Sequence, residues 1–176
     1  VLDTHNIEYE IFQRMAETVK SPLRKLHYRN EYKHFMVEEI AAYKKQHAIF
    51  TTSERDKDII SFHVPEIQKF IVPNGVDMSY FCPTDESVEP YSMGFTGMMG
   101  YLPNSDGILY FLDEIFPLII KKYSAAKIYI VGQYPPKALL NRASNNIVVT
   151  GFVPDVRPYI SRSAIYVVPL RMGSGT

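Results

Sequence analysis

The sequence predicts an α/β protein: a doubly wound, Rossmann-like parallel sheet, preceded by part of a second α/β domain. Two observations carry this prediction. After residue 90, short runs rich in Ile and Val alternate with helical patterns, as in parallel strands that are joined by crossover helices. The strand runs are almost continuously apolar, which is typical of strands that helices cover on both faces.

The second half of the chain contains the clearest elements. Strands are predicted there at residues 91–97, 127–132, 146–152 and 164–170. The helices between them are predicted at residues 105–123, 136–142 and 155–162. In the first of these helices, Ile108, Phe111 and Ile115 share one face with a period of about 3.6 residues. Pro117 lies inside the same helix and is expected to kink or split it, because proline has no N–H to donate.

The first half has fewer strands. They are predicted at residues 1–5, 48–52 and 69–72, and helices are predicted at residues 7–19, 31–47 and 54–62. Pro22 is expected to end the first helix or to begin a loop. We therefore divide the chain into a partial domain over 1–77, a linker over 78–90 and a Rossmann-like domain over 91–176. Because the chain opens inside a strand and closes in a loop, we expect both domains to continue in the whole protein.

Composition narrows the possible classes of function. The net charge is +0 and the isoelectric point is about 7.1, which argues against a nucleic-acid partner because such proteins carry a basic face. The lone Cys82 cannot form an internal disulfide, which favours a reducing, cytoplasmic compartment. No apolar run is long enough to span a bilayer, and no signal peptide is visible. The basic residues 20–33 indicate either a solvated helix surface or a contact for anionic lipid or an anionic acceptor.

Small residues follow the predicted strands in two loops. Gly97 ends the first strand of the second half, where it permits a tight turn or a close approach of the backbone to a ligand. The glycine spacing there departs from the dinucleotide fingerprint, and the next strand ends without an acidic residue, which argues against an NAD enzyme. In the second loop, Arg171 precedes Met172, Gly173, Ser174, Gly175 and Thr176. Small residues expose backbone N–H groups and arginine offers a planar fork, so this loop predicts a phosphate site, against the alternative of an ordinary loop beside a surface arginine.

Three further patterns have both a functional and a structural interpretation. Phe152 and Val153 lie between a strand and a helix, where they form either an apolar wall for a planar base or an ordinary capped turn. His5 lies at the carboxyl end of a predicted strand and is either a residue of the crevice or a structural histidine. Asp56 and Asp58 form a D-x-D pair, but residues two apart on a helix point in different directions, so no metal site is predicted.

Together these motifs resemble those of the retaining glycosyltransferase family 4, the group 1 enzymes of the two-domain GT-B architecture. The resemblance covers nearly the whole chain, and its segments follow the family in order and with suitable spacing. They are Val72–Asp77, Phe95–Met99, Ile130–Gly132, Gly151–Asp155 and Val168–Thr176.

The resemblance implies an enzyme whose donor, a UDP- or GDP-linked sugar, binds in a crevice between the two halves. It places Phe152 and Val153 at the base, Gly97 and the Gly173–Thr176 loop at the diphosphate and sugar, and His5 near the transferred sugar as a catalytic residue. It also implies a glycan or lipid-linked acceptor, retention of configuration without a protein nucleophile, and no cofactor or metal. The implied location is the cytoplasm, with a peripheral contact to the inner face of the membrane left open.

One departure from the family concerns the diphosphate. Many members carry an arginine and a lysine after the first strand of the donor domain, whereas Met98–Leu102 contains no cation here. Arg171 and residues beyond Thr176 must then balance the phosphate charge. The alternative is a non-catalytic domain on the same fold that binds a sugar nucleotide or a partner, because fold alone does not determine function.

Overall fold

The structure, a computed structural model, describes residues 1–82, 84 and 86–172. Its contacts divide the chain between Val76 and Asp77 into two compact units: Val1–Val76, with which Met172 groups, and Asp77–Arg171. The predicted linker over 78–90 therefore belongs to the second unit. Within the described residues, no helix is both long enough and apolar enough to cross a membrane.

The first unit is a parallel sheet with helices between its strands. Its elements in chain order are β1 (Leu2–Thr4), α1 (Glu8–Thr18), α2 (Pro22–Lys44), β2 (Ala48–Thr51), α3 (Glu54–His63) and β3 (Gln68–Ile71). The strand order is β1-β2-β3, and both pairings are parallel. The core consists of side chains that are almost completely buried: Ile7, Tyr43, Ile49, Ile60 and Val64.

Helix α2 begins at Pro22, well before the predicted start at residue 31. Pro22 occupies the first turn, where its missing N–H has no intrahelical partner to lose. Ser21 caps the helix by accepting a hydrogen bond from the Arg24 N–H over 3.5 Å. The prediction was wrong because the first turns have no apolar stripe to bury: Leu23, for example, is 81% exposed.

The second unit is a doubly wound α/β domain. Its elements in chain order are β4 (Glu89–Thr96), α4 (Leu102–Tyr110), a π-helical turn (Phe111–Ile115), α5 (Phe116–Lys122), β5 (Lys127–Val131), α6 (Lys137–Leu140), β6 (Ile147–Gly151), α7 (Arg157–Arg162) and β7 (Ser163–Tyr166). The strand order is β6-β5-β4-β7, with every pairing parallel. This order reverses between β4 and β7, and ligands of such sheets bind outside the carboxyl ends of the strands near that point.

Pro117 splits the long helix of the second unit, as the sequence predicts. The Phe116 N–H donates to the carbonyl of Phe111, five residues earlier, which closes the π turn between α4 and α5. Pro117 then lies in the first turn of α5, where it needs no donor. The wider turn accommodates the proline ring while the helix keeps packing Ile108, Phe111 and Phe116 into the core.

The strands of the second unit differ in burial. Ile128 and Ile130 of β5 are completely buried, because this strand has a neighbour on each side and helices on its faces. Strand β7 ends at Tyr166 instead of continuing to residue 170, and Ala164–Tyr166 are exposed. The apolar run over 164–170 therefore predicted the strand correctly but overestimated its length.

A charged network joins the amino ends of two strands, at the edge of the sheet opposite to the carboxyl ends. Glu89 of β4 accepts hydrogen bonds from the Lys127 ammonium over 2.9 Å and from the Tyr129 hydroxyl, both of β5. These contacts, that of Tyr129 first, hold the pKa of Glu89 below its ordinary value.

Candidate functional site

A cleft of about 320 Å³ opens at the carboxyl ends of β4, β5 and β6. Each of the three loops that follow these strands contributes to its lining, which consists of Thr96, Gly97, Met98, Val131, Gly132, Gln133, Phe152, Val153 and Val156. The predicted site residues Gly97, Phe152 and Val153 thus line one cleft. They meet there because parallel strands direct their carboxyl ends to the same edge of the sheet.

Backbone hydrogen bonds hold the floor of the cleft together. The Gly97 N–H donates to the Val131 carbonyl over 3.0 Å, and the Gly132 N–H donates to the Gly151 carbonyl over 3.0 Å. Gly132 has a φ of +151°, and a Cβ at this position would lie 1.7 Å from the Gly97 carbonyl oxygen. Only glycine fits such a contact, so Gly132 is a residue of the site that the sequence reasoning did not select. Its signal was a glycine at the end of a buried strand.

A close contact with Asn104 favours glycine at position 97. A Cβ there would lie 2.8 Å from the Asn104 side-chain nitrogen, which donates to the Met98 carbonyl over 3.1 Å. Asn104 therefore lies over Gly97 and holds the loop that joins β4 to α4. The Gly97 N–H is donated to Val131, and Asn104 and Gly132 lie against the Gly97 Cα and carbonyl oxygen, so Gly97 shapes the floor of the cleft.

Residues 152–156, which follow β6, form one wall of the cleft. Gly151 has a φ of +68°, which turns the chain sharply away from the sheet. Phe152 is 73% exposed beyond this turn, whereas Val153 is half-buried. Asp155 accepts a hydrogen bond from the Arg157 N–H over 2.9 Å at the start of α7. Hydrogen bonds from the Arg157 side chain and then from its backbone hold the pKa of Asp155 below its ordinary value.

The Arg171 side chain packs against helix α4. Its Nε donates to one carboxylate oxygen of Asp106 over 3.0 Å and its Nη2 to the other over 2.6 Å, while the guanidinium lies 4.7 Å from the centre of the Tyr110 ring. Gly107 lets this loop pass close to the helix, because a Cβ there would lie 2.8 Å from the Pro169 carbonyl oxygen. The fork that was predicted to meet phosphate thus holds a carboxylate in this structure.

The last predicted donor contacts are described in part or not at all. Met172 groups with the first unit, and the predicted donor residues Gly173, Ser174, Gly175 and Thr176 lie outside the described residues. Their assignment to the donor stays a prediction.

His5 lies in the first unit, after β1, and lines a different cleft of about 580 Å³. Carboxylates dominate the polar part of that lining: Asp3, Glu8, Glu38 and Glu39. The Glu39 carboxylate accepts the N–H groups of Glu8 and Tyr9 over 3.2 and 3.1 Å, which caps α1 from another helix. Burial, followed by the charge of Glu39, raises the pKa of Glu8. The catalytic role of His5 stays a prediction.

The D-x-D pair lies at the start of α3. The Asp56 N–H donates to the Ser53 hydroxyl over 3.1 Å, so Ser53 caps this helix, and one oxygen of Asp56 accepts from Arg55 over 3.1 Å. Asp56 is buried whereas Asp58 is exposed, so the two carboxylates do not converge. Among the described residues, no group of three or more possible ligands could hold a metal ion.

The comparisons with known proteins concern the family and the fold. Residues 90–176 match the family model described as "Glycosyl transferases group 1". This segment belongs to the group 1 glycosyltransferases. The resemblance inferred from the motifs is confirmed over these residues, and the group 1 segment contains every residue of the cleft at the ends of β4, β5 and β6. This family match supports glycosyl transfer in general.

Two solved structures resemble the chain in fold. TarM is 16% identical with a TM-score of 0.60, and the match covers 76% of this chain and 27% of that one. The pneumococcal O-GlcNAc transferase GtfA, in complex with UDP and GlcNAc, is 12% identical with a TM-score of 0.59, over 80% of this chain and 29% of that one. Both are GT-B glycosyltransferases, and at these identities the likeness shows the fold alone. This chain therefore spans less than a third of either protein. No curated protein sequence matches it.

Proposed function

We propose that this chain is part of a retaining glycosyltransferase of family 4, which moves a sugar from a UDP- or GDP-linked donor to a glycan or lipid-linked acceptor. The observation that carries the proposal is the cleft at the carboxyl ends of β4, β5 and β6 within the group 1 segment. GtfA, of the same fold, was solved with UDP and GlcNAc. Ligands of such sheets bind at this edge.

Each part of the donor has a proposed partner. Phe152 and Val153 offer an apolar surface to the base, and the exposed ring of Phe152 is available for stacking. Gly97 lets the backbone come close to the diphosphate. We assign Arg171, Met172 and the Gly173–Thr176 loop to binding of the diphosphate, because Met98–Leu102 contains no cation.

His5 is proposed to act near the transferred sugar. It follows a strand and lines a carboxylate-rich cleft of the first unit. Carboxylates accept hydrogen bonds from the hydroxyl groups of sugars, so this cleft suits a polyhydroxylated acceptor. Donor binding is proposed to need neither a cofactor nor a metal.

The enzyme is proposed to act in polysaccharide biosynthesis. Its proposed location is the cytoplasm, at the inner face of the membrane. The first turns of α2 expose Leu23 and Leu26 beside Arg24 and Arg29. Exposed apolar and basic side chains together suit a peripheral contact with anionic lipid. Sedimentation with vesicles of anionic lipid, compared with neutral vesicles, tests this contact.

A second candidate is a non-catalytic domain that binds a sugar nucleotide. It is favoured by the guanidinium of Arg171, which already holds Asp106, and by the lack of a cation in Met98–Leu102. Donor hydrolysis and transfer by the whole protein distinguish the two: binding without either reaction favours the second candidate.

Calorimetric titration with UDP, GDP and their nucleosides tests the proposed donor site. Phe152→Ala is expected to weaken binding about fivefold, because stacking on an aromatic ring contributes on the order of 1 kcal/mol. Phe62→Ala is the matched control, since Phe62 is a similarly exposed phenylalanine (84%) in the first unit. Absence of nucleotide binding, or equal losses in the two variants, would contradict the proposal.

A further inference from the structure

Arg157 begins helix α7, directly after Val156, which lines the cleft. Its guanidinium grips the carboxylate of Asp155: Nε lies 3.0 and 3.1 Å from the two oxygens, and Nη2 lies 2.8 Å from one of them. The backbone N–H of Arg157 donates to the same carboxylate. The Arg157–Asp155 pair therefore lies at the end of the wall that is farther from Gly151.

Arg157 is also held from outside the wall. Its guanidinium lies over the Tyr80 ring, 4.0 Å from the centroid, and Nη1 lies 3.3 Å from the Tyr80 carbonyl oxygen. Tyr80 is 77 residues away in sequence. A stacked guanidinium that also donates a hydrogen bond has little freedom to rotate, so Tyr80 determines where Arg157 lies.

The segment around Tyr80 has a defined shape of its own. The Asp77 carboxylate accepts the N–H groups of Ser79 and Tyr80 over 2.9 and 3.1 Å, and the Phe81 N–H donates to the Asp77 carbonyl over 2.8 Å. This turn is a fixed platform for Arg157. A continuous set of contacts therefore runs from Asp77 through Tyr80 and Arg157 to Asp155, beside the cleft.

We propose that Arg157, seated on Tyr80 and paired with Asp155, positions the wall Phe152–Val156 for the base end of the donor. Arg157 is a positioning residue: it acts through Asp155 and is not among the residues that line the cleft. This inference rests on the proposed binding of a nucleotide in the cleft. The wall is tied to the sheet at one end by Gly151 and to Tyr80 at the other by Arg157, so loss of the second attachment frees Phe152.

The helix contains a matched control. Arg162 lies at the other end of α7, and its side chain is 37% exposed, compared with 34% for Arg157. It too pairs with a carboxylate, Glu86 at 3.4 Å, and lies 5.4 Å from an aromatic ring, that of Tyr159. Replacing Arg157 removes one partly exposed ion pair and one cation–π contact. Replacing Arg162 removes one such ion pair and two cation–π contacts, with Tyr159 and, at 5.9 Å, with Tyr129. A general effect on stability will therefore be at least as large in the control.

The test compares calorimetric affinities of the 176-residue chain for a nucleoside and for its diphosphate. Arg157→Ala is expected to lower the affinity for both ligands by the same factor, about three- to tenfold. The factor is the same because the base, whose wall is lost, is common to the nucleoside and its diphosphate. Arg162→Ala is expected to leave both affinities unchanged. Tyr80→Phe keeps the ring and the carbonyl and should bind like the unchanged chain, whereas Tyr80→Ala should lose part of the affinity. Arg157→Lys should recover only part, because lysine lacks the planar fork.

Equal losses in Arg157→Ala and Arg162→Ala, or an unchanged affinity in Arg157→Ala, would overturn the inference. If the unchanged chain binds no nucleotide, the proposed function fails, and the positioning role is judged from NMR alone. In that case the backbone amide shifts of Phe152 and Val153, which lie beyond Pro154 from the substituted residue, must move in Arg157→Ala and stay in place in Arg162→Ala. Similar shifts in both variants would refute the positioning role.

Discussion

Gly132→Ala is the substitution that we expect to damage the cleft most. The new Cβ would lie 1.7 Å from the Gly97 carbonyl oxygen, so the backbone of one loop must move away. A side chain at a φ of +151° adds strain of about 1–3 kcal/mol. Movement of the loop also threatens the hydrogen bonds Gly97–Val131 and Gly132–Gly151, each of which contributes about 0.5–1.5 kcal/mol. The expected loss of unfolding free energy is therefore about 2–6 kcal/mol.

Urea unfolding followed by circular dichroism measures this loss, and two other glycines separate its causes. Gly151 has a φ of +68° but no heavy atom within 4 Å of a built Cβ, so Gly151→Ala should cost only backbone strain, about 1–2 kcal/mol. Gly75 has neither a near neighbour nor a positive φ, and Gly75→Ala should change stability by less than about 0.5 kcal/mol. The expected order of destabilisation is Gly132, then Gly151, then Gly75.

Nucleotide affinity provides the second measurement. Because Gly132 packs on the loop that contains Gly97, its alanine variant should also lose affinity for a nucleoside diphosphate at temperatures where it remains folded. A cost for Gly132→Ala no larger than that for Gly151→Ala would refute the argument from the carbonyl contact.

Three further predictions concern Arg171, the need for a metal ion and Glu89. Arg171→Ala is expected to lower the affinity for a nucleoside diphosphate about tenfold and to leave the affinity for the nucleoside unchanged. Arg171→Lys should recover part of the lost affinity. Equal losses for both ligands in calorimetry would indicate a folding defect instead. Nucleotide affinity should be the same with and without EDTA, and a large loss on chelation would contradict the proposal that donor binding needs no metal. Glu89 has a lowered pKa, owing first to the hydrogen bond from Tyr129, so its contribution to stability is present above its ordinary value of 4.5 and is lost as the pH falls through the lowered value. Glu89→Gln should flatten the stability curve in that acidic range, and an unchanged slope in urea titrations would contradict this assignment.

The order and type of most elements could be predicted because they depend on local patterns. Strand β5 was predicted at residues 127–132 and occupies Lys127–Val131, since a short run of Ile and Val suits a strand that is buried on both faces. Pro117 split its helix for an equally local reason, the missing N–H. Pro22 was misread because proline is compatible with both a helix end and a first helical turn, and only the cap at Ser21 distinguishes them.

The sequence by itself determined that Gly97, Phe152 and Val153 would meet, because carboxyl ends of parallel strands share one edge. Only the tertiary structure decided which residues hold them there. Gly132 is required by a contact with the neighbouring strand end, and Arg157 depends on Tyr80, 77 residues earlier. The fork of Arg171 was predicted for phosphate but pairs with Asp106, 65 residues away. Such pairings follow from strand order and loop paths, and local residue patterns carry no information about a partner so distant in sequence.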